Sequence, residues 1–103
     1  FLQGVIVDQH FTQRKRLPRL QGVLEKRPEF VGLGIDESTA VVVSGRTVKV
    51  VGDGTVTACW AASKDRPART DVHKPGDKLD LFQLRRAAQA RATAPTPAGT
   101  PEV

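Results

Sequence analysis

The sequence predicts an α/β fold in which a β-α-β unit is followed by a β-meander. Residues 5–7 and 31–35 are short, continuous apolar runs, which is typical of strands buried on both faces. Apolar residues recur between them at helical spacing, namely Leu17, Leu20, Val23 and Leu24. A strand, a helix and a strand within about thirty residues form a β-α-β unit, so we expect parallel strands and a right-handed crossover.

The helix of this unit is bounded by prolines. Pro18 is tolerated only in the first turn of a helix, because proline lacks a backbone N–H. We therefore expect the regular helix to begin near Leu17 or Pro18 and to end near Arg27, before Pro28. Residues 11–16 are then a loop or an irregular turn over the ends of the strands.

Three further strands are expected to form the meander, over residues 39–43, 46–51 and 55–60. Residues 44–45 predict the first turn. Residues 52–54, Gly-Asp-Gly, predict a hairpin turn, because glycine adopts positive φ without steric cost. The third strand is thus expected to pair back on the second. Its alternation predicts one face with Val56, Ala58 and Trp60 and another with Thr55, Thr57 and Cys59.

The C-terminal part of the sequence predicts a loop, a docking segment and a tail. Residues 61–70 are polar and charged, which predicts a loop, and residues 75–76, Pro-Gly, predict a turn. A short helix then reaches Arg91, and the apolar residues expected to dock on the sheet are Leu79, Leu81, Phe82 and Leu84. Residues 92–103, rich in alanine, proline and threonine, predict a disordered tail after a domain over residues 1–91.

Composition bounds the kind of protein and its partners. The 103 residues include no methionine and begin with Phe1, so we expect a piece of a longer protein. No apolar run approaches the ~20 residues that span a membrane, and no membrane partner is expected. Cys59 is the single cysteine, which excludes an internal disulfide and predicts a buried structural thiol. His73 lacks partners at metal-ligand spacing, and neither a metal nor a cofactor is expected. The compartment stays undetermined, with the cytoplasm slightly favoured.

Polar clusters follow the two strands of the β-α-β unit. Asp8, Gln9 and His10 come after the first strand, and Asp36 and Glu37 come after the second. Parallel strands end at the same edge of a sheet, which is where ligands bind in open α/β folds. A histidine base with a carboxylate that fixes its tautomer forms two members of a catalytic triad. His10 is then the base, and Glu37 the acid, or Asp36 if the loop turns the other way. The alternative is that these are ordinary polar loop residues.

A basic cluster follows His10: Arg14, Lys15, Arg16 and Arg19. The formal net charge is +5, and cations at the start of a helix oppose its dipole, which indicates that the cluster binds anions. The anions are substrate carboxylates in an enzyme, matching planar guanidinium groups, or phosphates in a nucleic-acid binder. The sequence lacks the interleaved aromatic residues of a single-strand binder, so no nucleic-acid partner is expected.

Three segments of the sequence resemble the cyanophycinase family. Residues 8–20, DQHFTQRKRLPRL, are similar to the DQHFxxRxRxxRL signature of that family. Residues 34–37, GIDE, resemble the segment that follows it, and residues 76–81, GDKLDL, resemble the GDxxDL stretch near the family's C-terminus. The matches occur in the family's order and cover most of residues 3–85.

The resemblance implies the C-terminal part of a serine peptidase on a class I glutamine-amidotransferase-like (flavodoxin-like) α/β sandwich. Such enzymes release β-aspartyl-arginine dipeptides from cyanophycin, so the implied partner is an aspartate-rich peptide or a cyanophycin-like polymer. Catalytic roles are implied for His10 and Glu37. Substrate-binding roles are implied for Asp8, Gln9, Arg14, Arg16 and Arg19.

The nucleophile of such an enzyme is missing from this sequence. Ser38, Ser44 and Ser63 are the serines, and none lies in a G-x-S-x-G setting. We therefore expect the nucleophile and the oxyanion hole to lie outside this chain, and the chain alone to be inactive. A homodimer through the edge of the meander is compatible with the pattern. The alternative function is a noncatalytic module that binds anions or nucleic acid through Arg14, Arg16 and Arg19.

Overall fold

The protein has an α/β fold, as the sequence predicts. The structure, a computed structural model, describes residues 4–9, 17–63 and 66–92. Within these residues it contains seven strands and two helices: β1 (Val5–Gln9), α1 (Leu17–Lys26), β2 (Val31–Ile35), β3 (Thr39–Ser44), β4 (Thr47–Gly52), β5 (Val56–Trp60), β6 (Arg69–His73), β7 (Lys78–Asp80) and α2 (Leu81–Ala92). The expected loop at residues 11–16 and most of the expected tail lie outside the described residues.

The first sheet contains the β-α-β unit. Its strand order is β1-β2-β5-β6, and β1 and β2 are parallel, which confirms the prediction from the sequence. The register pairs Val5 with Val31 and Gln9 with Ile35. Helix α1 begins at Leu17 and ends at Lys26, within one residue of the predicted bounds. The remaining pairs of this sheet, β2 with β5 and β5 with β6, are antiparallel.

The predicted three-stranded meander is wrong at its third strand. β3 and β4 form an antiparallel hairpin, but β5 does not pair back on β4. β4 instead pairs with β7 in a second sheet of order β3-β4-β7, and β5 crosses to the first sheet. Every residue of β5 is buried, so this strand needs cover on both faces. The first sheet provides it, because α1 packs on one face and α2 and the second sheet pack on the other. The Gly-Asp-Gly segment is therefore a connection between sheets and not a hairpin turn.

The two faces of the first sheet pack against different partners. The main core lies between this sheet, the second sheet and α2, and it contains Val56, Ala58 and Trp60, as the alternation predicts. The opposite face carries Cys59, which packs with Leu20 of α1, and the predicted burial of this thiol is confirmed. Burial raises the pKa of the Cys59 thiol to about 11.

A glycine sets the distance between α1 and the sheet. Gly32 of β2 faces Leu20, and a Cβ placed on Gly32 would lie 2.9 Å from the Leu20 Cδ1 atom. Its neighbours Val31 and Leu33 point to the other face and join the main core. The helix therefore packs directly against the backbone of β2.

The C-terminal part differs from the prediction in three places. Arg69 and Thr70 were expected in a loop but belong to β6, because pairing with the edge of β5 satisfies their backbone groups. Phe82 was expected to dock on the sheet, yet it is 48% exposed, while Leu79, Leu81 and Leu84 are buried as predicted. The guanidinium carbon of Arg46 lies 4.8 Å from the centroid of the Phe82 ring, so a cation–π contact covers this residue. Ala92, assigned by the sequence to the tail, is the last residue of α2.

Two contacts of α2 join distant parts of the chain. The indole Nε1 of Trp60 donates a hydrogen bond to the Leu84 carbonyl at 3.2 Å. In the last turn, Nη1 of Arg91 donates to the carbonyl oxygens of Ala61 and Pro67, at 2.8 Å each. Burial, and then the positive charges of nearby arginines, lower the pKa of Arg91.

Neither α1 nor α2 is long and apolar enough to cross a membrane, and no other helix lies in the described residues.

Candidate active site

The carboxyl ends of β1 and β2 lie side by side, as the β-α-β prediction requires. Asp8 pairs with Gly34 and Gln9 with Ile35 at the last positions of the two strands. The Asp36 and Glu37 pair follows Ile35 directly. The structure thus brings Asp8 and Gln9 to the edge where Asp36 and Glu37 lie.

The predicted base and two of the predicted arginines fall outside the described residues. His10 follows Gln9 in the sequence, and Arg14 and Arg16 belong to the same segment, so their placement stays a prediction. Arg19 is described: it lies exposed in the first turn of α1, while Leu20 faces the sheet.

The two candidate acids have different surroundings. Asp36 is half-buried, and its Oδ2 atom accepts hydrogen bonds from the backbone N–H of Thr55 at 3.1 Å and from the Thr55 hydroxyl at 2.8 Å. The backbone N–H of Asp36 also donates to the Thr55 carbonyl at 3.1 Å. Glu37, the next residue, is exposed. Asp36 therefore joins the end of β2 to the start of β5, whereas Glu37 projects from the turn that follows.

Residues 36–39, which we call the Glu37 turn, have a constrained backbone. Ser38 has φ of 55°, in the left-handed region that non-glycine residues seldom adopt. Its carbonyl accepts a hydrogen bond from the backbone N–H of Asp53 at 2.9 Å. The Thr39 hydroxyl donates to the Glu37 carbonyl at 3.0 Å and accepts from the Gly54 N–H at 2.9 Å. Both neighbours of Glu37 are thus held by other parts of the chain.

At its two glycines, residues 52–55, which we call the return loop, approach the Glu37 turn too closely for a side chain. Gly52 has φ of 113°, and a Cβ there would collide with the Ser38 carbonyl oxygen. A Cβ on Gly54 would lie 2.7 Å from the Thr39 hydroxyl oxygen and 2.8 Å from the Asp36 Cβ. This role of the two glycines and of Thr55 was not predicted from the sequence. Glycines that flank a strand also signal close backbone approach, which was the useful signal here.

A separate groove of about 330 Å³ lies among β6, β7 and α2, away from the candidate acids. His73 lines it, with its Nδ1 atom 3.8 Å from an Asp77 carboxylate oxygen. In the described part of the chain, no group of three or more His, Cys, Asp or Glu side chains is placed to hold a metal ion.

Comparison with known proteins supports the resemblance seen in the motifs. No family model matches the chain. The cyanophycinase of Synechococcus elongatus is 39% identical to it over 87 residues, which are 82% of this chain and 26% of that protein. This chain is homologous to the cyanophycinases over most of its length. The cyanophycinase of Thermosynechococcus vestitus gives the same values, and that of Geminocystis herdmanii is 52% identical over 54 residues, 52% of this chain and 20% of that protein.

The chain spans about a quarter of the length of the first two cyanophycinases it matches. The homology to these cyanophycinases extends well beyond the signature at residues 8–20, since 82% of the chain is aligned. The suspected relationship to the cyanophycinases is therefore confirmed.

Proposed function

We propose that this chain supplies the histidine and the acid of a serine-type peptidase that cleaves cyanophycin-like polymers to β-aspartyl-arginine dipeptides. The observation that carries the proposal is the parallel, in-register pairing of β1 and β2. The pairing places Gln9, the residue before His10, beside Ile35, which precedes Asp36 and Glu37. The chain is also homologous to the cyanophycinases. The larger fold proposed is the class I glutamine-amidotransferase-like sandwich, with the nucleophilic serine outside this chain.

The proposed mechanism follows the logic of a serine triad. The serine Oγ attacks the carbonyl carbon of the scissile bond while His10 takes the hydroxyl proton. His10 then gives the proton to the leaving amine, and water hydrolyses the acyl-enzyme with His10 again as base. Glu37 holds the imidazole in the correct tautomer and stabilises the imidazolium. Backbone N–H groups beside the nucleophile, also outside this chain, stabilise the oxyanion.

The environment of Asp36 supports Glu37 as the acid. The Asp36 carboxylate accepts two hydrogen bonds from Thr55, which hold it against the start of β5. Moving it to a histidine would break both bonds and leave Thr55 without its acceptor. Glu37 is exposed at the end of the parallel strands, and its side chain is one methylene longer.

The substrate-binding residues are proposed from the resemblance and from charge. Arg14, Arg16 and Arg19 would bind aspartate carboxylates through their planar guanidinium groups, together with Asp8 and Gln9 at the end of β1. No cofactor takes part. The relatives are named as cyanophycinases, which favours the peptidase over the nucleic-acid-binding alternative. A homodimer through the edge strand β3 stays a prediction.

The test is a pair of isosteric substitutions in the full-length protein that carries this chain. Glu37→Gln should lower kcat by about 10⁴-fold, the loss seen when a triad carboxylate is replaced by its amide. Asp36→Asn should have a much smaller effect, because the amide oxygen can still accept from Thr55. Release of β-aspartyl-arginine from purified cyanophycin is the measurement. If Asp36→Asn lowered kcat severely and Glu37→Gln hardly changed it, the assignment of the acid would be reversed. If the unmodified protein released no dipeptide, the noncatalytic binding module would be favoured.

A further inference from the structure

We propose that Thr55, in the return loop, is the positioning residue that sets the orientation of Glu37. This inference rests on the proposed role of Glu37 as the acid. Thr55 lies 18 positions further along the chain in sequence numbering, and nothing in its local sequence marks it as part of the site. We infer the role from the hydrogen bonds that Thr55 donates to Asp36.

The Glu37 turn and the return loop are two of the three places in the described residues where the chain passes between the sheets, the third being the connection from β6 to β7. The Glu37 turn leads from β2 in the first sheet to β3 in the second, and the return loop leads from β4 back to β5. Five hydrogen bonds join them: Asp36 N–H to Thr55 O, Thr55 N–H and Oγ1–H to Asp36 Oδ2, Asp53 N–H to Ser38 O, and Gly54 N–H to Thr39 Oγ1. The backbone on both sides of Glu37 is therefore fixed by the return loop.

Strain in the Glu37 turn agrees with this role. The left-handed conformation of Ser38 costs on the order of 1 kcal/mol and persists only where the surroundings enforce it. Here the enforcing contacts come from the return loop, through the Asp53 N–H on one side and Thr55 on the other. Release of Thr55 would let the turn relax and would change the direction in which Glu37 leaves the backbone.

Among these five bonds, the one donated by the Thr55 hydroxyl goes from a side chain to an ionised acceptor, and it is short, at 2.8 Å. Such bonds are about twice as strong as bonds between neutral groups. This bond can be removed by a substitution of Thr55 itself, because Thr55→Val removes the hydroxyl and keeps the shape. Thr55→Ser keeps the hydroxyl and removes only a methyl group.

The experiment measures cyanophycin hydrolysis by the full-length protein and its variants. Thr55→Val should lower kcat by about 10- to 100-fold with KM within about twofold, since misplacement of a catalytic group by ~1 Å costs on the order of 100-fold. Thr55→Ser should restore most of the loss. Thr70→Val is the matched control, because Thr70 is an exposed threonine on β6, and it should behave as the unmodified protein.

The possible outcomes distinguish the proposed role of Glu37 as the acid from the proposed positioning role of Thr55. A silent Glu37→Gln would overturn the proposed acid, whatever Thr55 does. If Glu37→Gln lowered kcat severely but Thr55→Val had the same kcat as Thr70→Val, the positioning role alone would be overturned. Loss of folding in Thr55→Val, followed by circular dichroism, would also overturn it, because the hydroxyl would then hold the sheets together and not orient Glu37. A rise in KM with unchanged kcat would place Thr55 in substrate binding and refute the proposal.

Discussion

The close approach of the return loop to the Glu37 turn predicts that two glycine-to-alanine substitutions act in opposite directions. A Cβ on Gly54 would lie 2.7 Å from the Thr39 hydroxyl oxygen and 2.8 Å from the Asp36 Cβ, whereas a Cβ on Gly22 would meet no atom within 4 Å. Gly54 lies in the return loop against the Glu37 turn, and Gly22 lies exposed in α1. The pair therefore compares the same chemical change in a crowded and in an open place.

The expected magnitudes follow from these distances. Ordinary van der Waals contact begins near 3.4 Å, so Gly54→Ala must displace Thr39 or Asp36 by several tenths of an ångström. Overpacking of this kind costs about 1–3 kcal/mol of the free energy of unfolding. Gly22→Ala should instead add about 0.8–1.0 kcal/mol, because alanine is the better helix former. The two variants should therefore differ by about 2–4 kcal/mol.

The assay is urea denaturation of the full-length protein, followed by far-ultraviolet circular dichroism, together with hydrolysis of cyanophycin below the transition. Gly54→Ala should also lower kcat, since it displaces Asp36, while Gly22→Ala should leave kcat unchanged. Equal stabilisation by both alanines would refute the close approach of the two segments. Full activity in a destabilised Gly54→Ala would show that the spacing matters for folding and not for Glu37.

Two further predictions concern groups with shifted pKa values. Cys59 should resist alkylation by iodoacetamide at pH 8 in the folded protein and react on unfolding, because a pKa of about 11 leaves roughly one thiol in a thousand ionised. Fast labelling of folded protein would contradict its burial. The Arg46 guanidinium holds the pKa of Asp80 below its usual value of 3.8, so Asp80→Asn should lower stability at pH 7. That difference should shrink and then vanish as the pH falls through the lowered pKa, since a depressed carboxyl pKa stabilises only the ionised form. A difference that does not shrink on acidification would contradict the ion pair.

The sequence was sufficient for those parts of the fold that local patterns determine. The apolar runs of β1 and β2 and the helical spacing of Leu20 and Leu24 indicate a β-α-β unit whatever surrounds it. The alternation of β5 also identified its two faces. Its partner could not be predicted, because a Gly-Asp-Gly segment has the same appearance in a hairpin turn and in a connection between sheets. The choice depends on which strand edge is vacant, and that is a property of the whole fold.

The candidate site shows the same division. The order of Asp36 and Glu37 after a buried strand is a local signal, and the structure has both residues directly after the carboxyl end of β2, as that signal predicts. The hydrogen bonds between Asp36 and Thr55 could not be predicted, because Thr55 is distant in sequence and reaches Asp36 only through the pairing of β5 with β2. β6 was missed for a related reason, because Arg69 and Thr70 follow a polar stretch that contains Pro67 and their strand depends on pairing with β5.

The hydrogen bonds of Arg91 bear on the order in which the molecule assembles. Its guanidinium joins the end of α2 to carbonyl groups 30 and 24 positions earlier in the chain. Neither bond can form before α2 has docked beside Ala61 and Pro67, so we expect both bonds to form late in folding. Contacts that form after the transition state affect unfolding more than folding, so loss of the Arg91 guanidinium should accelerate unfolding more than it slows folding. The last turn of α2 thus contributes to the kinetic persistence of the folded state.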